Sequence, residues 1–114
     1  MVRIYHNNDC SKSRATLALL RERHLDVEVI NYLEAPPNEQ ELAQLLKQLG
    51  LSARELLRTG EPEYQSLGLV DPSLDDAALI ATMVKHPKLI ERPIVVANGK
   101  ARIGRPPEAV LAIL

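Results

Sequence analysis

Cys10 is the single cysteine in a chain of 114 residues, and its neighbours are polar: Asp9 before it, then Ser11, Lys12, Ser13 and Arg14. A thiol reacts as its thiolate, and a free cysteine ionises near pH ~8.5. At a helix start, where N–H groups are unpaired, or beside cations, that value falls to roughly 3.5–7.5, which makes a nucleophile at neutral pH. A lone cysteine is also often a small buried hydrophobe. The charged and hydroxyl-bearing surroundings of Cys10 favour the reactive reading over that inert one. With one sulfur available, any disulfide-forming step must draw its second sulfur from another molecule. Ser13 stands where a dithiol Cys-x-x-Cys enzyme carries its second cysteine; its hydroxyl can donate to a thiolate but cannot resolve a disulfide. His6 either supports the thiolate as a nearby cation or only shapes the loop.

Three arginines, Arg58, Arg92 and Arg105, are candidate partners for an anion. Each one alone reads equally as half of a surface ion pair, with Glu55 at i, i+3 as the partner expected for Arg58. Arg54 and Arg58 are like charges at i, i+4, a small penalty that an anion beside one of them would relieve. Taken together, a thiolate and three planar guanidinium forks make a site for a small tetrahedral oxyanion, because arginine binds oxyanions through paired N–H groups. No spacing of His, Cys, Asp and Glu suits a metal, and there is no glycine-rich phosphate loop or Ser/His/Asp set. Asp9 and Asp75-Asp76 read as capping residues. The expectation is a site with no metal and no bound cofactor.

The elements that must position these residues follow from local pattern. Val2-Arg3-Ile4-Tyr5 alternates as a strand does, and His6-Asn7-Asn8-Asp9 has turn chemistry, so a helix is expected from Cys10 or Ser11, fading by His24. Val27-Glu28-Val29-Ile30 reads as a second strand, parallel to the first across a right-handed crossover. After Pro36-Pro37, the leucines at 42, 45, 46 and 49 have helical spacing up to Gly50. Ser52-Ala53-Arg54-Glu55 has capping-box spacing and predicts a short helix through Arg58, and Ser73 to Asp76 predicts another start. Ile94 to Ala97, Asn98-Gly99 and Lys100 to Ile103 form a type I′ hairpin, with Arg92-Pro93 just before it. Pro106 suits the first turn of a last helix. The whole predicts one α/β domain over residues 1–114, with a thioredoxin-like, four-stranded mixed sheet, flanking helices and a helical insert at about 38–90. That fold places a cis-proline at Pro93 and Arg92 near Cys10.

Composition narrows the partners. Fourteen Lys and Arg against fifteen Asp and Glu leave a net charge of −1, so no long-range field draws the chain to nucleic acid or to anionic lipid. Three tyrosines and no Trp or Phe argue against base-stacking surfaces. A single cysteine excludes a disulfide-stapled secreted scaffold. Without a signal peptide or a span of ~20 apolar residues, the chain reads as soluble and cytoplasmic.

Several separated motifs then carry a resemblance along essentially the whole chain: Ile4-Tyr5-His6-Asn7 with Cys10-Ser11-Lys12-Ser13-Arg14, Tyr32-Leu33-Glu34 before Pro36-Pro37, Arg54-Glu55-Leu56-Leu57-Arg58, Arg92-Pro93-Ile94-Val95-Val96 and Gly104-Arg105-Pro106. The sequence resembles the glutaredoxin-dependent arsenate reductases of thioredoxin-like fold, most closely their short YfgD-like bacterial branch. The resemblance implies a nucleophilic Cys10, with Arg58, Arg92 and Arg105 holding arsenate or a similar oxyanion and His6 and Ser13 keeping the thiol ionised. It also implies glutathione as cosubstrate and glutaredoxin as partner. Two departures are visible: Asn8 stands where well-studied members carry proline, loosening the loop before Cys10, and the chain stops at Leu114 where they extend. The competing function classes are a redox-linked transcription regulator of the Spx type, whose Cys-x-x-Cys switch Ser13 removes, and a monothiol glutaredoxin-like reductase acting on another substrate.

Overall fold

The computed structural model, which describes residues 2–114, has four strands and five α-helices in the order β1 (Val2–His6), α1 (Ser11–Glu22), β2 (Val27–Asn31), α2 (Glu39–Leu49), α3 (Ala53–Leu56), α4 (Pro62–Ser66), α5 (Asp76–Lys85), β3 (Ile94–Ala97) and β4 (Lys100–Ile103) among the described residues. A 3-10 turn, Pro87–Leu89, precedes β3, and a 3-10 helix, Pro107–Ile113, closes the chain. The sheet order is β2-β1-β3-β4. β1 runs parallel to β2 and antiparallel to β3, and β3 pairs antiparallel with β4. This is the thioredoxin-like mixed sheet.

The chain divides into two compact units, residues 1–35 with 92–114, and residues 36–91. The first holds the sheet. Because strand side chains alternate, Val2, Ile4 and His6 share one face of β1. Val2 and Ile4 pack with Leu17 and Leu20 of α1, Val95 and Ala97 of β3, and Val110 and Ile113 of the terminal helix. The β3–β4 turn is a two-residue hairpin with Asn98 at φ 53° and Gly99 at φ 75°, the left-handed pair a type I′ turn demands.

The second unit is helical. Asn38 opens α2 with a full capping box and Gly50 closes it in the left-handed region, at φ 71°. Both follow from chemistry visible in the sequence. Ser52 caps α3 through the expected box, but the helix ends at Leu56 instead of running through Arg58. The reason is Leu57, which is buried and leaves the helix to bridge Ile90 in an antiparallel contact. Asp75, rather than Ser73, caps α5; Ser73 is tied to Asp71 instead. Helix α4, absent from the sequence reading, starts with Pro62 at its first position. The last helix is 3-10 in form, with Pro106 as its cap and Pro107 as its first residue.

Candidate active site

Cys10 is the residue that starts α1. Its backbone is extended, and the Arg14 N–H closes the first helical turn on its carbonyl. The preceding loop is tied down despite Asn8. The Cys10 N–H donates to the Asn7 carbonyl, the Asp9 N–H to Asn7 Oδ1, and Arg14 Nη1 to the Asn8 carbonyl, all within 3.0 Å. The loosening expected of Asn8 is therefore offset by bonds to the loop backbone on both sides of it.

Cys10 is 7% exposed. Arg105 Nη2 donates to Sγ at 3.6 Å, and Arg105 Nε donates to the Arg92 carbonyl at 2.8 Å. Burial pushes the thiol up, but the Arg92 guanidinium, acting as hydrogen-bond donor and as charge, and the amides of Ser13 and Lys12 act the other way. The net is a thiol that ionises below its ordinary range. Although the sulfur takes no formal capping hydrogen bond, those amides favour its anion, as unpaired N–H groups at a helix start do. Arg105 donates the long N–H···S bond, while Arg92 is the cation that most favours the ionised sulfur.

His6 and Ser13 meet because β1 sends His6 toward α1. His6 is 4% exposed and Ser13 fully buried, with His6 Nδ1 2.6 Å from Ser13 Oγ. Ser13 Oγ also accepts the Asn7 N–H at 3.0 Å. The hydroxyl expected to donate to the thiolate is thus turned to His6 and the loop, and it is the Ser13 amide that acts on Cys10.

Gly104 explains how the third strand, the fourth strand and α1 converge here. A Cβ at this position would lie 2.4 Å from Thr16 Oγ1 and 2.8 Å from Pro93 Cγ, so only glycine permits the approach. The Gly104 N–H donates to the Pro93 carbonyl at 2.9 Å. Pro93 follows a cis bond from Arg92, as the fold led one to expect, and a second cis bond joins Arg105 to Pro106. The structure thereby gathers His6, Cys10, Ser13, Arg92 and Arg105 in the first unit.

Arg58 belongs to the second unit and is not helical. Its Nη1 donates to Glu91 Oε1, and its Nε lies 3.7 Å from Glu61 Oε2. The pair expected with Glu55 does not form, because Glu55 closes the α3 capping box. The i, i+4 relation with Arg54 also does not arise, since α3 ends before Arg58, and the Arg54 guanidinium donates to the carbonyls of Leu69 and Asp71. Sequence reasoning missed Glu61 and Glu91. Glu61 carries the i, i+3 signal as clearly as Glu55 does, but the choice between them depends on where α3 stops. Among the described residues no group of three acids, histidines or cysteines could hold a metal, and no helix is long and apolar enough to cross a membrane.

Comparison with known sequences bears on this geometry directly, because a model of the ArsC family matches residues 5–113. The chain belongs to the ArsC family. Within ArsC-related sequences it is 60% identical over 114 residues to uncharacterized protein YfgD of Escherichia coli (strain K12), covering 99% of this chain and 96% of that one. It is 50% identical over 114 residues to an arsenate reductase of Neisseria meningitidis, covering 99% and 97%. The solved structure of an arsenate reductase from Vibrio cholerae superposes with a TM-score of 0.97 at 57% identity, covering 99% of this chain and 97% of that one. The ArsC chain is thus an arsenate reductase homologue along its whole matched length.

Proposed function

We propose that this ArsC-family protein reduces arsenate to arsenite through a covalent adduct on Cys10, with glutathione and glutaredoxin supplying the electrons. What carries the reading is the Cys10 sulfur, buried, 3.6 Å from the Arg105 guanidinium and held below its ordinary acidity range chiefly by Arg92 against the cost of burial. A tetrahedral dianion and a thiolate repel, so a nucleophile of this kind works only where guanidinium groups neutralise both. Arg92 and Arg105 do so beside the sulfur, and Arg58 is the third fork that the family resemblance assigns to the oxyanion. His6 and Ser13 fix the loop that presents the sulfur.

In the first step the Cys10 thiolate attacks arsenic(V), forming the S–As bond and releasing an arsenate oxygen as water with a proton from solvent. Glutathione then replaces a second oxygen in the same way. Glutaredoxin's thiolate attacks the glutathione sulfur, the S–S bond forms as the S–As bond breaks, and its electron pair reduces arsenic(V) to arsenic(III). Water releases arsenite from Cys10. The chain's single thiol calls for external thiols, since no second cysteine can form an internal disulfide.

The test is arsenite release with glutathione and glutaredoxin present together, each alone, and thioredoxin alone. Turnover is expected only with the first pair, and Cys10→Ser is expected to reduce it below ~1% because a hydroxyl is not ionised at neutral pH. Equal rates with thioredoxin as sole reductant, or a Cys10→Ser variant that retains turnover, would overturn the proposal.

A further inference from the structure

Arg58 carries two carboxylates, and they hold it in different ways. Glu91 and Arg58 stand in the same short ladder: the Arg58 N–H donates to the Leu89 carbonyl at 2.8 Å and the Glu91 N–H to the Leu56 carbonyl at 3.1 Å, on either side of the Leu57–Ile90 bridge. Nη1 donates to the Glu91 carboxylate directly. Glu61 lies beyond the exposed Thr59 and Gly60, and its oxygen stops 3.7 Å from Nε, which is buried and without a hydrogen bond. Nη2 takes none either among the described residues. Nε and Nη2 form one fork of a guanidinium, the edge that receives two oxygens of an oxyanion at once. In this structure that fork is faced by the Glu61 carboxylate and bonded by nothing.

Glu61 also has somewhere to go. It caps α4, yet its carboxylate accepts no N–H from the helix, and it lines an open groove of about 570 Å³ with Thr59, Pro62, Tyr64 and Val70. We propose that Glu61 is an exchangeable counter-ion of Arg58, displaced into that groove when an oxyanion takes the Nε–Nη2 fork, so that it sets the oxyanion affinity of the protein while Glu91 stays as the fixed anchor. The inference rests on the reading that Arg58 binds the oxyanion. With both glutamates in place the cluster carries a net charge of −1, which opposes a dianion; with Glu61 withdrawn the Arg58–Glu91 pair is neutral and the fork is open.

The experiment is a calorimetric titration with sulfate, an unreactive tetrahedral dianion, alongside the KM for arsenate, on wild type, Arg58→Ala, Glu61→Gln, Glu61→Ala and Glu63→Gln. Glu63 has the same charge two residues on and no ion pair to Arg58. Both Glu61 variants are expected to bind sulfate about two- to fivefold more tightly, the range set by a partly exposed ion pair, and to lower the KM for arsenate by a like factor, while Glu63→Gln matches wild type and Arg58→Ala binds more weakly. If Arg58→Ala weakens sulfate but the Glu61 variants equal wild type or bind more weakly, the exchange is wrong and Arg58 keeps its role. If Glu63→Gln tightens binding as much as Glu61→Gln, the effect is one of general charge and the exchange is again overturned. If Arg58→Ala binds sulfate like wild type, the reading beneath the inference fails with it.

Discussion

At Cys10 two opposing effects are resolved in favour of the anion. Burial alone would raise the pKa of a thiol that is 7% exposed, and the Arg92 guanidinium with the amides of Ser13 and Lys12 more than reverses it. Removing Arg92 should therefore matter more than removing Arg105. Arg92→Ala is expected to move the thiolate titration up toward or beyond that of free cysteine, and Arg105→Ala to move it up by less. Ultraviolet thiolate absorbance against pH measures both; no shift in Arg92→Ala would show that this guanidinium does not act on the sulfur, and equal shifts in the two variants would overturn the ranking. Lysine at position 92 should restore part of the shift but less of the oxyanion affinity, because it supplies the charge without the fork.

Among the elements, the tightest contact is the one at the exit of β4. A methyl group on Gly104 would overlap Thr16, which is fully buried and bonded to the Lys12 carbonyl, and the ring of Pro93. Gly104→Ala is expected to cost about 1–3 kcal/mol, as overpacking does, and Thr16→Ala in the same chain should recover part of that cost, since neighbouring changes couple. Urea unfolding of the two single variants and the double variant reads the coupling. Elements whose signals are local were legible in the sequence: β1, the leucine spacing of α2 and its stop at Gly50, the Asn98-Gly99 turn, and the start of α1 at Cys10 or Ser11. The end of α3 was not, because nothing near Leu57 announces that it will bridge Ile90, a partner thirty-odd residues away. Arg58 was misplaced with it, and so were its true partners. The Ser13 hydroxyl was misassigned for a similar reason: its direction depends on how the end of β1 places His6 against α1.

For the whole molecule, the acidity of one side chain is tied to the integrity of the fold. The folded chain binds the Cys10 proton more weakly than the unfolded chain does, so between the folded and the unfolded pKa the unfolded state holds more protons and stability rises with pH. That contribution is lost as pH falls through the folded value. Two readouts follow. At a pH inside this window, thiolate absorbance should disappear along the same urea transition as the helical signal. Cys10→Ser should flatten the rise in stability across it. A thiolate signal that persists in unfolded chain would locate its cause in Lys12 and Arg14 nearby rather than in the fold. The order β2-β1-β3-β4 gives this dependence a direction in time. β1 can pair with β2 as soon as both exist, but Arg3 must wait for Val96, and Cys10 for Arg92 and Arg105, which lie in the last quarter of the chain. During synthesis, which proceeds from the N-terminus, Cys10 is thus among the first residues made, and its thiol is among the last groups to meet the side chains that make it more acidic. A ribosome-bound chain keeps Cys10 without its chief acidifying cation until Arg92 has emerged and folded against it.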